Sequence, residues 1–333
     1  MLNPDLKLNS DIFDAKAKQA PTRDGYGEAL QILGETHPNV VVLSADLTES
    51  TRAEAFASKF PERFFEMGVS EQNMASVAAG LGVSGKIPFI SSYATFSPGR
   101  NWEQIRTTIA INDSNVKIAG HHAGISVGPD GATHQALEDI AMMRALPNMK
   151  VIAPSDSIEA RKATLAAADI WGPVYLRFGR EKSPIITTED TPFVPGKAAL
   201  YWLPVRKAKA DVVIFTTGAL AYEALLAAKM LEEKDIHVYV VNVHTVKPLD
   251  EDMIVEYAKK AGAVVTVEEH QVAGGFGSAV SECLSRHAPT PMEFVGMQDE
   301  FGQSGTPAEL IAHFGMDAKG ILAAAKKAIR RAR

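Results

Sequence analysis

The chain has 333 residues, 46% of them hydrophobic and 22% charged, a composition typical of a globular protein and a length too great for one hydrophobic core. Its 34 basic and 40 acidic residues leave a net charge of −6, which argues against a nucleic-acid surface because phosphate binding needs concentrated lysine and arginine. With one cysteine, no signal-peptide pattern and no run of about 18 apolar residues, the sequence predicts a cytoplasmic protein without disulfides or a membrane span.

Short apolar strands alternate with helical patterns in the first half of the chain. Strands are predicted at residues 40–43, 86–91, 117–119, 150–153 and 174–178. A helix of small and apolar residues is predicted from 74 to 83, and Ser155 is the expected N-cap of another helix that ends near Ala168. Because short apolar strands separated by helices are typical of parallel sheets, an α/β fold with both sheet faces covered is predicted.

The alternation stops in a proline-rich stretch and then restarts. Residues 181–209 have no sustained hydrophobic period and are interrupted by four prolines, Pro184, Pro192, Pro195 and Pro204. Further strands and helices are predicted at 211–216, 220–233, 237–243, 250–261, 263–268, 275–287 and 318–333. The sequence therefore predicts two parallel-sheet α/β domains, a first at 1–185 and a smaller second at 209–333, joined by a linker at 186–208.

Polar loops follow three predicted strands of the first domain, at residues 44–46, 93–100 and 121–134. Ligands of open parallel sheets bind outside the carboxyl ends of the strands, so a site built from these loops is expected. The glycine-rich third loop contains His122, Asp130 and His134, which can donate, accept and shuttle protons near neutral pH. A substrate site is favoured over a solvated loop or a metal site, since a metal needs at least three convergent ligands; no metal ligand is predicted.

Two further features each indicate function weakly when taken singly. Glu71 lies at the start of the helix predicted from 74, where a carboxylate ordinarily complements the helix dipole. Tyr93 and Phe96 lie in a strand-to-helix loop and could stack on a flat heterocycle, although most such aromatic residues fill a core.

In this order and spacing, the features resemble one family. Glu71 in Gly-Val-Ser-Glu-Gln-Asn-Met, the segment Tyr93-Ala-Thr-Phe96 and the loop Asp130-Gly-Ala-Thr-His134-Gln are similar to the pyrimidine-binding domain of transketolases. Thr-Val-Lys-Pro-Leu-Asp at 245–250 and Val-Glu-Glu-His at 267–270 extend the resemblance over almost the whole chain. The resemblance implies a thiamine-diphosphate pyrimidine-binding domain followed by a smaller transketolase C-terminal-like domain.

The resemblance also implies roles for individual residues. The family's carboxylate at the position of Glu71 hydrogen-bonds the pyrimidine ring and so activates the cofactor, which carries the carbanion chemistry. Phe96, or failing that Tyr93, would stack on the pyrimidine. His122 and His134 would act with Glu71 in catalysis. The implied substrate-binding residues are Arg23, Ser50, His122, Asp130, His134 and Arg180.

One motif of the family is missing from the sequence. Full-length transketolases hold magnesium and diphosphate with a Gly-Asp-Gly motif and a downstream Asn, and this chain has no Gly-Asp-Gly. The resemblance therefore implies one subunit of a split transketolase. A separate N-terminal subunit would hold most of the magnesium and diphosphate site in an α2β2 heterotetramer. The implied reaction transfers a two-carbon ketol unit between a ketose phosphate and an aldose phosphate, as in the pentose phosphate pathway.

Other functions remain open at this stage. A 1-deoxy-D-xylulose-5-phosphate synthase-like enzyme and the beta subunit of a 2-oxo acid dehydrogenase share the fold, but the first is normally one long chain and the second usually lacks the Asp-Gly-x-Thr-His-Gln loop. Gly274-Gly275-Phe276-Gly277 follows a predicted strand, but it does not meet the dinucleotide-binding spacing. A non-catalytic regulatory subunit is the remaining alternative.

Overall fold

Two mainly parallel β-sheets organise the part of the chain that the computed structural model describes, residues 1–205 and 209–333. The strands are β1 (Gln19–Pro21), β2 (Val40–Ser44), β3 (Phe64–Glu66), β4 (Ile87–Tyr93), β5 (Lys117–His121), β6 (Lys150–Ile152), β7 (Val174–Arg177), β8 (Lys182–Pro184), β9 (Ala199–Trp202), β10 (Val212–Thr216), β11 (Val238–Asn242), β12 (Thr245–Lys247), β13 (Val264–Gln271) and β14 (Met292–Met297). The α-helices are α1 (Thr22–Thr36), α2 (Glu54–Lys59), α3 (Glu71–Val83), α4 (Trp102–Gln104), α5 (Asp139–Arg144), α6 (Ser157–Asp169), α7 (Ala221–Glu232), α8 (Glu251–Ala261), α9 (Phe276–His287), α10 (Pro307–His313) and α11 (Ala318–Arg331).

The first sheet has seven strands in the order β12-β6-β7-β5-β4-β2-β3, and all pairs except β12–β6 are parallel. Its central strands are buried along their whole length, as expected for a sheet covered on both faces. Helices α1 and α6 cover one face and pack closely, because Gly25 lies directly against the Ser157 carbonyl, where a Cβ would come within 1.9 Å of the oxygen. Helix α3 and the π-helix Ile105–Ala110 contribute to the core on the other face.

The second sheet has five strands in the order β14-β13-β10-β11-β9, and only β9 is antiparallel to its neighbour. Helices α7 and α11 pack on one face, and α8 and α9 pack on the other. The α/β architecture with two mainly parallel sheets is therefore confirmed.

The two halves of the chain are more interwoven than the sequence predicted. Residues 186–208, predicted as a linker, include β9, which forms an edge of the second sheet; residues 206–208 lie outside the described part. Strand β12, from the second half, pairs with β6 of the first sheet. Ile12 and the residues before it pack on the core beneath α7 and α11. One hydrophobic cluster also joins residues of both halves, so the position of the strand-end loops depends on both.

Most predicted elements of the first half occur, with ends shifted by a few residues. The N-cap assignment was wrong: α6 begins after Asp156, whose Oδ1 accepts from the Glu159 amide at 2.8 Å. The Asp156 carboxylate also accepts from the backbone N–H groups of Ile186 and Thr187, so it links the start of α6 to the segment that follows β8. No helix among the described residues is long and apolar enough to cross a membrane.

Candidate active site

The predicted site residues lie at the carboxyl ends of the strands of the first sheet. Glu71 begins α3, directly after the β3 loop, and Tyr93 ends β4 with Phe96 three residues later. His122 follows β5, and Arg180 follows β7. Arg23 lies in the first turn of α1, and Ser50 lies in the loop after β2. The structure brings these side chains into one region because parallel strands end at the same edge of a sheet.

We call Glu71, Phe96 and Arg100 the cofactor side of the site. The Glu71 side chain is only 3% exposed, and its Oε1 accepts from Arg100 Nη1 at 3.0 Å. The Arg100 guanidinium also lies over the Phe96 ring, 4.0 Å from its centroid. A flat hydrogen-bond donor therefore occupies the space between a buried carboxylate and an aromatic face. These residues fit the ring of the cofactor that the resemblance implies.

Two neighbouring aromatic side chains extend this face. Tyr93 stacks on His122, with ring centroids 3.9 Å apart and planes at 24°. Tyr93 and Phe96 are also nearly parallel, with centroids 5.7 Å apart. His134 meets both of these rings edge-on, at 6.2 and 5.5 Å. Tyr93 is stacked on His122, whereas the face of Phe96 is covered by the Arg100 guanidinium that also binds Glu71.

We call Arg23, His122 and Arg180 the substrate side of the site. Arg23 Nη1 donates to the Ser50 carbonyl at 2.8 Å and contacts His122 Nε2 at 3.5 Å. Arg180 Nη1 donates to the Val127 carbonyl at 2.8 Å. Ser50 thus contributes its backbone to these contacts.

Positive charge is concentrated on the substrate side. Burial, together with the nearby cations Arg52 and Arg180, lowers the pKa of Arg23 despite the opposing effect of Asp24. Asp130, predicted to bind substrate, is half-exposed and lies 3.7 Å from Arg180 Nη1. Several guanidinium groups that repel one another in one place favour binding of an anion, because an anion relieves that repulsion.

His122 is neutral in this environment. Burial is the main cause that lowers its pKa to about 3, and Arg23 and Arg180 lower it further. Because a guanidinium can only donate, Nε2 faces Arg23 as an acceptor and the proton is assigned to Nδ1. His122 Nδ1 is buried and has no partner. The group can therefore donate a hydrogen bond to a ligand oxygen without carrying a charge.

Other buried polar atoms near these strand ends also lack hydrogen-bond partners. They include Ser92 Oγ, Thr95 Oγ1, Asn101 Oδ1 and Arg23 Nε. Folded proteins rarely leave buried polar atoms unpaired, so these atoms indicate a polar ligand or a missing partner surface. Within the described ranges, no group of three His, Cys, Asp or Glu side chains is placed to hold a metal ion.

Arg100 is a site residue that the sequence prediction missed. It lies four residues after Phe96, in the loop already selected for its aromatic residues. The available signal was an arginine in the same loop as Tyr93 and Phe96, in a sequence whose family resemblance already selected the carboxylate of Glu71. The pairing itself depends on α3 and the β4 loop coming together, which a sequence pattern does not encode.

Comparisons with known proteins identify the family of the chain. Two protein-family models match, the transketolase pyrimidine binding domain at residues 18–185 and the transketolase C-terminal domain at residues 201–321. A putative transketolase C-terminal section from Methanocaldococcus jannaschii is 44% identical over 302 residues, covering 90% of this chain and 93% of the relative. A 6-deoxy-6-sulfo-D-fructose transketolase subunit from Clostridium sp. is 39% identical over 319 residues, covering 96% and 98%. A solved structure described as a split gene transketolase, inactive beta4 tetramer, has a TM-score of 0.85 and 46% identity, covering 95% of this chain and 100% of that one.

Proposed function

Because the chain belongs to the transketolase family, as the C-terminal section of a split transketolase, we propose that it transfers a two-carbon ketol unit from a ketose phosphate to an aldose phosphate. It would do so only together with a separate N-terminal subunit. The chain contributes the pyrimidine half of a thiamine-diphosphate site and most of the substrate contacts. The partner contributes the magnesium and diphosphate half.

The observation that carries the substrate assignment is the cluster of guanidinium groups at the strand ends. Arg180 lies close enough to Arg23 for its charge to contribute to the lowered pKa of Arg23, and neutral His122 lies beside Arg23. Guanidinium groups bind phosphate oxygens through charge-assisted hydrogen bonds, often two at a time. A 2-oxo acid has a smaller anionic group and no chain of hydroxyls, so this side suits a sugar phosphate better.

The contacts of Arg100 support the cofactor assignment. Its guanidinium hydrogen-bonds Glu71 and stacks on Phe96, the same two contacts that a pyrimidine ring would make there. When bound, thiamine diphosphate supplies the carbanion chemistry of the reaction. Glu71 would hold a proton at the pyrimidine nitrogen, and Phe96 would orient the ring. Arg100 would have to leave this position.

His122 and His134 would act on the substrate rather than on the cofactor. Both belong to the loop at 121–134 and contact Tyr93, and His122 is neutral with an unpaired Nδ1. We assign them to sugar oxygens, where they would donate or accept hydrogen bonds and move protons as the ketol unit is released and received. Asp130, half-exposed beside Arg180, would contact a hydroxyl near the phosphate end.

The outer face of α3 supports a requirement for a partner. Gln72, Asn73, Ser76, Val77 and Gly80 are exposed on this helix, and none of them is charged. An exposed helix of a soluble protein usually presents charged residues, and an uncharged face is typical of an interface core. The helix begins at Glu71, so a subunit that covers this face would also border the cofactor side. We therefore propose an α2β2 assembly in which the partner completes the site.

A sulfonated ketose is a second candidate substrate. The Clostridium relative, named for 6-deoxy-6-sulfo-D-fructose, aligns over almost the whole chain. A sulfonate offers three tetrahedral oxygens, as a phosphate does, and Arg23 and Arg180 could bind either group. The arginine cluster therefore predicts an anionic end on the substrate and leaves its identity to experiment.

The test is reconstitution with the N-terminal subunit, magnesium and thiamine diphosphate, followed by assays of ketose phosphates, sulfonated ketoses and pyruvate. Ketol transfer from xylulose 5-phosphate or from a sulfonated ketose supports the proposal. Decarboxylation of pyruvate without ketol transfer would instead assign the chain to a 1-deoxy-D-xylulose-5-phosphate synthase-like or 2-oxo acid dehydrogenase activity.

Arg180→Ala is the companion variant. Loss of a charge-assisted contact worth ~1.5–3 kcal/mol should raise the KM for the anionic sugar by about 10- to 100-fold, with kcat largely retained. Arg286→Ala is the control, because Arg286 forms an exposed ion pair with Glu251 far from the site in sequence and in the fold. An equal effect of both variants would remove Arg180 from the substrate site.

A further inference from the structure

A buried carboxyl group of the second domain contacts the substrate loop, in addition to contacts from residues 302–307. Glu269 lies in β13, its side chain is buried, and its Oε1 accepts a hydrogen bond from the backbone N–H of Ser126. Gly124 leaves the room for this contact: its φ is +91°, and a Cβ there would lie 2.5 Å from the Glu269 carboxyl. The loop at 121–134 is therefore shaped to receive Glu269.

The Glu269 contact lies next to a contact of the substrate side. Ser126 is followed by Val127, whose carbonyl accepts from Arg180 Nη1 at 2.8 Å. A shift of the Ser126 amide would move the Val127 carbonyl and so change the direction of the Arg180 guanidinium. The path from Glu269 to Arg180 contains two hydrogen bonds and the backbone of two residues, Ser126 and Val127.

Glu269 itself is held rigidly. Its backbone carbonyl accepts from Arg177 Nη2 at 2.8 Å, and Arg177 forms a two-point ion pair with buried Asp139. Tyr175 also donates to Asp139, at 2.7 Å. Since Arg177 and Tyr175 belong to β7 and Glu269 belongs to β13, this network fixes the second sheet against the first.

We infer that Glu269 is a positioning residue through which the second domain sets the affinity for the anionic end of the substrate. The inference rests on the proposed function, because it assigns Arg180 to that anion. Glu269 touches no substrate in this account; it holds the Ser126 amide where Val127 can orient Arg180.

The adjacent residue provides a matched control. Glu268 is equally deep in β13, but its carboxylate accepts from the amides of Phe276 and Gly277, at 2.6 and 2.8 Å, at the start of α9. It has no hydrogen bond to the substrate loop. Substitution of either glutamate changes a buried carboxyl group of β13, but only Glu269→Ala removes an acceptor for the substrate loop.

The first experiment uses hydrogen exchange on the isolated chain and needs no activity. Glu269→Ala should make peptides covering 121–134 exchange several-fold faster than in the unaltered chain. Glu269→Gln should retain slow exchange, because its amide oxygen can accept from Ser126. Glu268→Gln should leave this loop unchanged. Unchanged exchange in Glu269→Ala would overturn the inference, since the contact would then not hold the loop.

The second experiment uses the reconstituted enzyme with xylulose 5-phosphate and unphosphorylated xylulose. Glu269→Ala should raise the KM for the phosphorylated ketose about 10-fold and change the KM for xylulose less than about 2-fold. Its effect should largely disappear in the Arg180→Ala background, because both substitutions act on one contact. Should Glu269→Ala fail to fold, Glu269→Asp withdraws the carboxylate by one methylene and retains its charge.

The possible failures can be told apart. If the unaltered enzyme transfers no ketol unit from any anionic ketose, the proposed function fails, and the exchange experiment still decides whether Glu269 holds the loop. If the enzyme is active but Glu269→Ala raises both KM values equally, or adds fully to Arg180→Ala, Glu269 has only a structural role and the inference fails.

Discussion

The cofactor side and the substrate side of the site differ in how their polar groups are supported. On the substrate side, Arg23 and Arg180 donate to backbone carbonyls, and Glu269 holds the adjoining loop from the second domain. On the cofactor side, buried Glu71 depends on Arg100, whose side chain is 47% exposed, and the helix that begins at Glu71 presents an uncharged face to solvent. The side chains proposed to bind substrate are thus held by the chain itself, whereas those proposed to bind the cofactor are held by a partly exposed arginine.

This difference has a physical cause. A backbone carbonyl fixed by a sheet or a loop keeps its position without a ligand, so the arginines of the substrate side are oriented in advance. A buried carboxylate without a partner is costly, and Arg100 provides the partner of Glu71; under the proposed function, the cofactor ring would take the place of Arg100. Arg100 can provide this cation because its half-exposed side chain is free to move away.

Glu71→Gln should have the largest effect and tests the cofactor side. Glutamine keeps the shape but cannot hold the proton as required, so kcat of the reconstituted enzyme should fall about 10²- to 10⁴-fold with the fold intact. The measurements are steady-state kinetics and circular dichroism. Glu103→Gln is the control, because Glu103 is an exposed carboxylate in the first turn of α4. If both variants keep near-normal activity, Glu71 has only the helix-dipole role.

Arg100→Ala should have a smaller effect than Glu71→Gln, and it should strengthen cofactor binding. A partly exposed ion pair is worth about 0.5–1.5 kcal/mol, so removing this competitor should tighten thiamine-diphosphate binding by roughly 2- to 10-fold. Titration calorimetry of the reconstituted enzyme measures this change. Arg106→Ala, at an exposed position in the following helix, should leave it unaltered. Weaker binding in Arg100→Ala would mean that Arg100 holds the cofactor and does not take its place.

The charge state of His122 should affect the stability of the fold rather than turnover, and it tests the substrate side. Its folded-state pKa is lowered to about 3 from 6.5, so the stability that the neutral ring contributes is present above pH 6.5 and is lost as the pH falls towards 3. Between pH 7 and pH 5 the unaltered chain should lose about 2 kcal/mol more unfolding free energy than His122→Asn. Urea unfolding measures this difference. Parallel losses in both proteins would mean that His122 is not held neutral.

The sequence predicted where the candidate residues lie along the fold better than it predicted their contacts. Glu71 lies at the start of a helix and His122 directly after a strand, as predicted, because strand ends and helix starts follow from local patterns. The pairing of Arg100 with Glu71 and that of Glu269 with Ser126 depend on segments 29 and 143 residues apart in the chain. Strand β9, within the predicted linker, was missed for the same reason, since its partner β11 lies on the other side of the proline-rich stretch.

The need for a partner is the central claim, and one assay tests it most directly. Ketol transfer is measured with the purified chain, magnesium and thiamine diphosphate, before and after the N-terminal subunit is added. No turnover is expected from the chain alone, and turnover is expected after addition, because the chain is proposed to hold only the pyrimidine half of the cofactor site. Turnover by the chain alone would contradict it.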